Sequence, residues 1–374
     1  MQRKLASVQK ITDIKPIEGA DKIAVATVLG WQVVILKEDF KVDDLVIYFE
    51  TDSLLPIHPA FEFLAKDGTK TILGDDKKDH TGYRLRTIKL RGQVSQGLCV
   101  KPEEFGLTNV KEGDDVTERL GVVKYERFIE PKYMQSNRKP VVFPKWMPRK
   151  IGMWIKGTFP NLAVRLWGKM LKPFPPFIPK TDEMRLQAVP DVLKRHKDKV
   201  FYVTEKLDGS SVTVFKKDGE VGVCSRNIWY PRDEDNQYWK PVIESGLDKV
   251  IDDGIAMQGE LIGESVQDNR LRQKGQKIYF FNVYDLKRNQ YLSLSGLVCF
   301  CLKYGVEMVP LLSEKFKLRS MNKMVEYATR KSVLNKDAWA EGVVFRPLEE
   351  AHDEELGRLS FKVINPTYLL EHKI

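Results

Sequence analysis

A polar turn joins two apolar runs in the stretch Lys199-Val-Phe-Tyr-Val-Thr-Glu-Lys-Leu-Asp-Gly-Ser-Ser-Val-Thr-Val-Phe215. Each run has the β-branched and aromatic content that is typical of a buried strand. The turn carries Lys206 and Asp208, followed by Gly209, which lets the backbone approach a ligand closely. A lysine amine is a nucleophile only when neutral, so a catalytic lysine here needs desolvation or nearby cations that lower its pKa. Taken alone, the K-x-D-G string favours a plainer interpretation, a surface lysine in a strand-end turn.

Strand-like and helical patterns alternate on both sides of this turn, from about residue 181 to residue 374. Helices are predicted over Tyr238–Leu247, Leu294–Tyr304 and Met321–Ser332. Further strand-like runs begin at Gly222, Ile255, Ile278, Glu341 and Leu359. This order predicts an α+β domain of antiparallel sheets with flanking helices.

Residues 1–125 are predicted to be all β. Short alternating runs such as Val25–Leu29, Trp31–Leu36 and Leu45–Phe49 are separated by Gly, Asp and Lys clusters, and their spacing fits a small OB-like barrel. Over residues 83–91, large or apolar residues alternate with basic ones. On a strand, this period places Arg84, Arg86 and either Lys89 or Arg91 on an exposed face.

Residues 126–180 carry all of the excess positive charge. The chain has a formal net charge of +9, but twelve basic residues and one acid between Arg127 and Lys180 give +11, which leaves −2 elsewhere. Nine of the nineteen prolines and three of the seven tryptophans also fall in this segment. We therefore expect a basic, Pro/Trp-rich linker with at most one helix, around Asn161–Leu171.

The sequence also excludes several classes of protein. Apolar content of 42% and aromatic content of 10% exclude disorder throughout the chain. No run is long and apolar enough for a membrane span, and no hydrophobic core of a signal peptide follows the N-terminus. The four cysteines lack zinc-site spacing, so we interpret them as reduced core residues of an intracellular protein, cytoplasmic or nuclear.

Further short motifs follow the lysine turn in a fixed order. They are Ser225-Arg-Asn227, Gln258-Gly-Glu-Leu-Ile-Gly263, Tyr279-Phe-Phe-Asn-Val-Tyr-Asp285, Glu341-Gly-Val-Val-Phe-Arg346 and Ser360-Phe-Lys-Val-Ile-Asn365. With the lysine turn, they resemble motifs I, Ia, III, IIIa, IV and V of the covalent nucleotidyltransferases, which include ATP-dependent DNA and RNA ligases and mRNA capping enzymes. The joint match covers roughly residues 180–374. The resemblance thus implies a ligase fold of the ATP-grasp-like type.

The resemblance implies a role for each motif, and the chemistry of the side chains agrees with it. Lys206 would be the nucleophile that takes AMP from ATP. A carboxylate set would hold Mg²⁺ or Mn²⁺, through water molecules. Its members are Asp208, Glu260 and Glu341. The expected ATP or AMP contacts are Glu205, Lys206, Arg226, Glu260, Phe281 and Lys362. Among these, Arg226 and Lys362 suit phosphates, whereas Phe281 offers a ring face to adenine.

The order of the domains points to one branch of this superfamily. DNA ligases and capping enzymes place an OB domain after motif V, but here the barrel-like region comes first and only twelve residues follow Lys362. The chain resembles RNA ligases of the Deinococcus/Naegleria type, in stretches that begin at Ile11, Leu90 and Phe177. Residues 131–170 lie outside this resemblance. A second lysine, usual two residues after the first in motif V of related RNA ligases, is replaced by Ile364.

The implied activity is ATP-dependent sealing of a 3′-hydroxyl to a 5′-phosphate RNA end, through lysyl-AMP and RNA-adenylate. RNA ends or a nicked duplex would be the partner, held by the OB-like domain (residues 1–125) through Arg84, Arg86 and Arg91 and by the ligase domain (residues 181–374) through Gln267. We expect a monomer. The alternatives are a guanylyltransferase or DNA ligase with the same lysine chemistry, and a non-catalytic RNA-binding protein.

The linker (residues 126–180) has three interpretations that the sequence leaves open. A nucleic-acid clamp fits its charge. An interfacial helix around Met147–Leu171, on a membrane surface, fits its mixture of Lys/Arg and Trp. A plain packing strap between the domains is the third interpretation.

Overall fold

The computed structural model describes residues 3–74, 78–125, 141–144, 146–168 and 171–373, without the side chain of Arg149. Six of the linker's basic residues therefore lie outside the described residues: Arg127, Lys132, Arg138, Lys139, Lys145 and Lys169.

The N-terminal region folds into a barrel of short antiparallel strands. Its strands are β1 Ala6–Pro16, β2 Ile23–Val28, β3 Trp31–Leu36, β4 Leu45–Phe49, β5 Ser53–Pro56, β6 Lys70–Leu73, β7 Asp79–Arg84, β8 Ile88–Leu90, β9 Gln93–Ser95, β10 Leu98–Val100 and β11 Val123–Lys124. One sheet has the order β10-β4-β1-β2-β3, a second has the order β11-β5-β7-β6, and β8 pairs with β9. Short 3₁₀-helices cover Pro59–Asp67 and Pro102–Phe105. The OB-like barrel expected from the sequence is confirmed.

The barrel curves because β1 pairs with two different strands along its length. Its first half pairs with β4, its second half pairs with β2, and the register shifts between Ile11 and Asp13. Such an irregularity bends a strand and lets one sheet wrap onto itself. Trp31 and Tyr48 fill the interior, with almost no exposed surface.

The stretch Tyr83–Arg91 is not the single strand that its alternation suggests. Strand β7 ends at Arg84, β8 begins only at Ile88, and the residues between them have no regular structure. The inward positions Leu85 and Thr87 are nevertheless buried. Over residues 83–87 the alternation therefore marks which side chains face the core, not the length of a strand, whereas the apolar Ile88 and Leu90 are exposed.

The described part of the linker contains two helices, so the expectation of at most one was wrong. Helix α1 spans Arg149–Thr158 and α2 spans Pro160–Trp167. Pro148 immediately precedes α1, and Pro160 is the first residue of α2. Proline is tolerated at a helix start because the first N–H groups have no partner within the helix. These prolines therefore begin helices that the sequence analysis took them to break.

The C-terminal region has two mainly antiparallel sheets, each with one short parallel pair, and helices around them. Its strands are β12 Lys172–Pro173, β13 Met184–Arg185, β14 Val200–Lys206, β15 Ser210–Lys217, β16 Glu220–Cys224, β17 Ile228–Tyr230, β18 Ile255–Gly263, β19 Gln276–Asp285, β20 Gln290–Tyr291, β21 Glu307–Met308, β22 Leu311–Lys317, β23 Gly342–Pro347, β24 His352–Asp353, β25 Gly357–Arg358 and β26 Phe361–Ile364. Its helices are α3 Val192–Arg195, α4 Trp239–Glu244, α5 Leu247–Val250, α6 Leu294–Tyr304, α7 Met321–Ala328 and α8 Pro366–His372, with a 3₁₀ turn over Leu186–Ala188. The predicted α+β fold is confirmed.

The two sheets meet at the lysine turn. The large sheet runs β12-β17-β16-β15-β18-β19-β20, with β21 also paired to β19, and the smaller sheet runs β13-β26-β23-β14-β22. Strand β14 belongs to the smaller sheet and β15 to the large one, so residues 207–209 cross from one to the other. Side chains from both sheets can therefore converge on Lys206.

Direct contacts join the barrel to the C-terminal region. Gly30 N–H donates to the carbonyl of Gln187 at 3.0 Å. The Arg185 guanidinium lies 2.6 Å from Asp52 Oδ2 and 3.0 Å from Thr51 Oγ1. Because Arg185 lies on β13, the strand beside β26, the barrel docks next to the edge of the smaller sheet. The boundaries at residues 125 and 180 stay a prediction.

Three of the four cysteines are core residues, as expected, and the fourth is not. Cys99, Cys224 and Cys301 are buried, but Cys299 is exposed because it lies on the outer side of α6.

None of the helices within the described ranges is long and apolar enough to cross a membrane.

Candidate active site

Lys206 ends β14 with its amine against a carboxylate. Its Nζ donates to Glu341 Oε2 at 2.6 Å. Glu341 directly precedes β23, whose residue Gly342 is the register partner of Lys206. Burial by itself would lower the pKa of Lys206, but the negative charges of Glu341, Glu260 and Asp208 outweigh burial and raise it. In the protein without ligands, Lys206 is therefore an ammonium ion held among carboxylates.

Glu260 approaches the same point from the large sheet. It lies on β18, opposite Ser211 of β15, which begins just after the lysine turn. Burial raises the pKa of Glu260 to about 8; Lys206 opposes this rise, and repulsion from Glu341 and Asp208 adds to it. The Glu260 carboxyl group is therefore largely protonated at neutral pH in the protein without ligands.

Asp208 is engaged by an arginine that the sequence analysis missed. Arg270 Nη1 donates to Asp208 Oδ2 at 2.9 Å and to the Tyr368 hydroxyl at 2.7 Å, and Arg270 Nη2 pairs with Asp268 at 3.0 Å. Arg270 comes three residues after Gln267, but only the fold brings α8 with Tyr368 to it. The available signal in the sequence was Asp268, two residues before Arg270.

Lys362 supplies a second cation beside Lys206. It lies on β26, opposite Val344 of β23 and next to Arg185 of β13. Burial and repulsion from Lys206 and Arg185 lower the pKa of Lys362 to about 8, although Glu183 and Glu341 oppose that change. Such a lysine changes its charge near physiological pH.

A buried ion pair between Arg346 and Glu183 lies beside Phe281. Arg346 is 2% exposed, and its Nη2 donates to Glu183 Oε1 at 2.6 Å. The Arg346 guanidinium also lies 5.6 Å from the centre of the Phe281 ring. Phe281 is half-buried against the cluster of Leu207 and its neighbours, so its ring serves the packing at least as much as it faces an open site.

Glu205, expected as a nucleotide contact, is buried at 2% exposure. Its Oε2 accepts a hydrogen bond from Val333 N–H at 2.8 Å. Its Oε1 is buried and has no hydrogen-bond partner among the described residues. Burial raises the pKa of this carboxyl group.

Arg226 and Gln267 lie at the margins of the site. Arg226 follows β16 and pairs with Asp182 at 2.6 Å, where both side chains are about half exposed. Gln267 Nε2 donates to the carbonyl of Gly209 at 3.2 Å, which ties it to the lysine turn.

The basic residues expected on the barrel do not form one open face. Arg84 stacks on Tyr125, with its guanidinium carbon 4.5 Å from the ring centre, and Arg86 pairs with Asp67 at 3.1 Å. Arg91 is exposed in the turn of the β8–β9 hairpin. Of the three, Arg91 has the most exposed side chain.

The carboxylates are suited to a divalent cation, but not as a direct three-residue cage. Asp208, Glu260 and Glu341 offer only hard oxygen ligands, which suit Mg²⁺ or Mn²⁺. Across the ranges that the structure describes, no three His, Cys, Asp or Glu side chains are placed to hold one ion. Coordination through water, as expected from the sequence, remains compatible with this spacing.

Comparisons with known proteins agree with this architecture. Residues 5–102 match the sequence profile of an OB-fold domain, and residues 199–364 match that of the RNA ligases. Structures of Naegleria gruberi RNA ligase are similar at 34% sequence identity. A mutant with ATP and Mn gives a TM-score of 0.78 and covers 99% of each chain. A mutant with AMP and Mn gives 0.77 with 99% of each. The complex with PPi gives 0.77, with 100% of this chain and 99% of that chain. A search of curated proteins found no match.

Proposed function

Because this chain belongs to the RNA ligase family, we propose that Lys206 is the nucleophile with which it seals RNA ends at the expense of ATP. The chain is an ATP-dependent RNA ligase, and its covalent nucleotidyltransferase chemistry uses Mg²⁺ or Mn²⁺. The observation that supports Lys206 is its position where two sheets meet, in contact with Glu341 and close to Glu260, Asp208 and Lys362.

The first step forms a bond between Lys206 Nζ and the α-phosphorus of ATP while the bond to pyrophosphate breaks. Lys206 must first lose a proton, and the nearest acceptor is Glu341 Oε2 at 2.6 Å. Lys362 and Arg226 are the cations that we assign to the phosphates. A divalent ion held by Asp208, Glu260 and Glu341 through water would offset phosphate charge and lower the pKa of Lys206.

The next two steps transfer the adenylyl group and seal the break. A 5′-phosphate oxygen of RNA attacks lysyl-AMP, which frees Lys206 and gives RNA-adenylate. A 3′-hydroxyl then attacks the 5′-phosphorus and releases AMP. Lys206 is uncharged when joined to AMP, so Glu341 loses its cationic partner. We expect Lys362 to be the cation that balances this change.

For adenine, we assign Phe281 as a stacking surface and Glu205 as a polar contact. The support for Glu205 is its buried Oε1 atom, which has no hydrogen-bond partner among the described side chains. An acceptor in that condition is costly unless a donor reaches it, and an adenine amino group is such a donor.

The RNA is proposed to lie across the barrel and the lysine turn, contacting Arg91 and Gln267. Arg91 is exposed, and Gln267 is already tied to Gly209. Arg84 and Arg86 remain candidates, although Tyr125 and Asp67 hold them in the free protein. Nicked duplexes with RNA or DNA on the 3′-hydroxyl side, sealed by the wild type and by Arg91→Ala, test this assignment.

We keep two further proposals, a monomer and an intracellular location. The free thiols, three of them buried, suit a reducing compartment, cytoplasmic or nuclear. Light scattering of the full chain measures whether it is a monomer. Imaging of the tagged protein in cells shows its location.

The deciding experiment is covalent labelling. The protein is incubated with Mg²⁺ and α-labelled ATP or GTP and then denatured in detergent. We expect a covalent adduct from ATP that survives alkali but is hydrolysed by acid, as a lysyl phosphoramidate is. It should be absent in Lys206→Ala and present in Lys199→Ala, an exposed lysine directly before the same strand. Labelling from GTP alone would favour a guanylyltransferase, and no labelling would favour an RNA-binding protein. Labelling that survives Lys206→Ala would overturn the assignment of the nucleophile.

A further inference from the structure

An unusual amount of apolar surface is exposed on the two linker helices. Among the described residues, seven of the seventeen exposed large apolar side chains lie within residues 146–168. They are Trp146, Ile151, Met153, Trp154, Phe159, Leu162 and Leu166, each 48% exposed or more. An apolar patch of this density on a folded protein marks a surface that another component covers.

The two helices already bury other residues on an inner side. The seven exposed side chains are therefore not exposed merely because the helices have nothing to pack against. Ala163 is fully buried, and the Phe143 and Trp167 rings lie 5.3 Å apart between α1 and α2. Gly152 packs so closely on Phe143 that an added Cβ would come within 2.7 Å of its ring. The exposed residues form a second, outer side that includes the contact of Trp154 with Phe159, whose ring centres are 6.0 Å apart.

The positive charge of the linker around the two helices indicates which kind of partner covers them. From residue 131 to residue 181 the sequence contains no Asp or Glu, and Lys150 and Arg165 are exposed on the two helices. Lys156 is exposed as well, but it also lines a cavity of about 100 Å³ with Asp233 and Asp235 of the C-terminal region. The side of the helix pair that faces the catalytic domain is therefore matched by acids.

We propose that α1 and α2 dock the enzyme onto an anionic lipid surface. Trp and Phe side chains suit the boundary between headgroups and acyl chains, and lysine and arginine beside them attract anionic headgroups. Four of the seven exposed residues, Ile151, Met153, Leu162 and Leu166, are aliphatic. Single-stranded RNA is bound by stacking on aromatic rings, which aliphatic side chains do not provide. The lipid surface is therefore favoured over an RNA clamp.

The test is co-sedimentation of the full chain with vesicles, either pure phosphatidylcholine or containing about 30% phosphatidylserine. We expect binding to the anionic vesicles that weakens as salt rises. Trp154→Ser/Leu166→Ser should lower the partition coefficient about tenfold or more. Ile57→Ser/Leu302→Ser, which removes two residues 64% and 78% exposed elsewhere, is the matched control and should bind like the wild type. Both variants should form lysyl-AMP normally, which shows that they are folded.

Several outcomes would overturn the proposal. One is the absence of binding to anionic vesicles, and another is equal binding by Trp154→Ser/Leu166→Ser. Weaker RNA binding by that variant with unchanged vesicle binding would assign the helices to RNA. A change from dimer to monomer, with no vesicle binding, would assign them to a second copy of the chain. Failure of lysyl-AMP formation in the wild type would reject the proposed function without touching this inference.

Discussion

The guanidinium of Arg270 lies 2.9 Å from the carboxylate of Asp208, two residues from the proposed nucleophile. Both side chains are 19% exposed, so water screens the pair only partly. Asp208 is therefore already neutralised by a protein cation in the ligand-free enzyme. An incoming Mg²⁺ or Mn²⁺ ion would compete with Arg270 for it.

Replacing Arg270 should make the enzyme less stable but easier to load with metal. We expect Arg270→Gln to lower the free energy of unfolding by about 1–3 kcal/mol, because charged hydrogen bonds are lost. The Mg²⁺ concentration for half-maximal lysyl-AMP formation should fall, since Asp208 is released. Tyr368→Phe is the matched control, because it removes the 2.7 Å bond to Arg270 but leaves the ion pair. An unchanged or higher Mg²⁺ requirement in Arg270→Gln would contradict the competition.

Glu341 should control the protonation of Lys206. With Glu341→Gln, the closest of the carboxylates that raise the pKa of Lys206 is lost, so this pKa should fall. The rate at which an amine-reactive reagent modifies Lys206, followed against pH by peptide mass spectrometry, measures the change. We expect faster modification at pH 8 in Glu341→Gln and no change in Glu349→Gln, an exposed residue of the same region. Formation of lysyl-AMP should nevertheless drop, because the proton acceptor is gone.

The residues at the centre of the candidate site could be selected from the sequence because each belongs to a short local pattern. Lys206, Glu341 and Lys362 each lie at or beside a short apolar strand, and adjacent strands bring them together. Glu183 and Arg270 were missed because their partners come from distant segments that only packing selects. Linker helix α1 was expected only in the membrane-surface alternative, because its proline was otherwise taken as a breaker, although it precedes the first turn.

Docking of the barrel should depend on the absence of a side chain at residue 30. A Cβ on Gly30 would lie 2.8 Å from the Cα of Gln187 and 2.5 Å from the Met321 methyl group, and backbone cannot yield as a flexible side chain can. Gly30→Ala should therefore loosen the barrel, which hydrogen exchange at the Gly30 amide would report as lost protection. We expect nearly normal lysyl-AMP formation but reduced sealing of nicks. Gly157→Ala, where nothing lies within 4 Å, is the control.

The affinity for ATP should fall at alkaline pH because of Lys362. Its pKa is lowered to about 8, so its positive charge is present below that pH and is lost as the pH rises through it. Binding of α,β-methylene-ATP, which cannot transfer its adenylyl group, should weaken between about pH 7.5 and 9.5. Lys362→Arg should keep its charge and remove most of this dependence, whereas the exposed control Lys336→Arg should not. Equal pH profiles for the wild type and Lys362→Arg would rule out this role.

Because Glu183 is paired with Arg346, the free energy of unfolding should depend on pH in the acidic range. Although burial opposes it, the positive charges of Arg346 and Lys362 lower the pKa of Glu183 from 4.5 to about 2. Because the pKa of Glu183 is lower in the folded protein than in the unfolded chain, its ionised carboxylate stabilises the fold above about pH 4.5. This contribution is lost as the pH falls through about 2. The shift corresponds to about 3 kcal/mol. Glu183→Gln should therefore be less stable than the wild type at pH 7 by about this amount, in urea unfolding. The difference should shrink steadily between about pH 5 and pH 2, while Glu314→Gln, on the exposed side of β22, should follow the wild type at every pH.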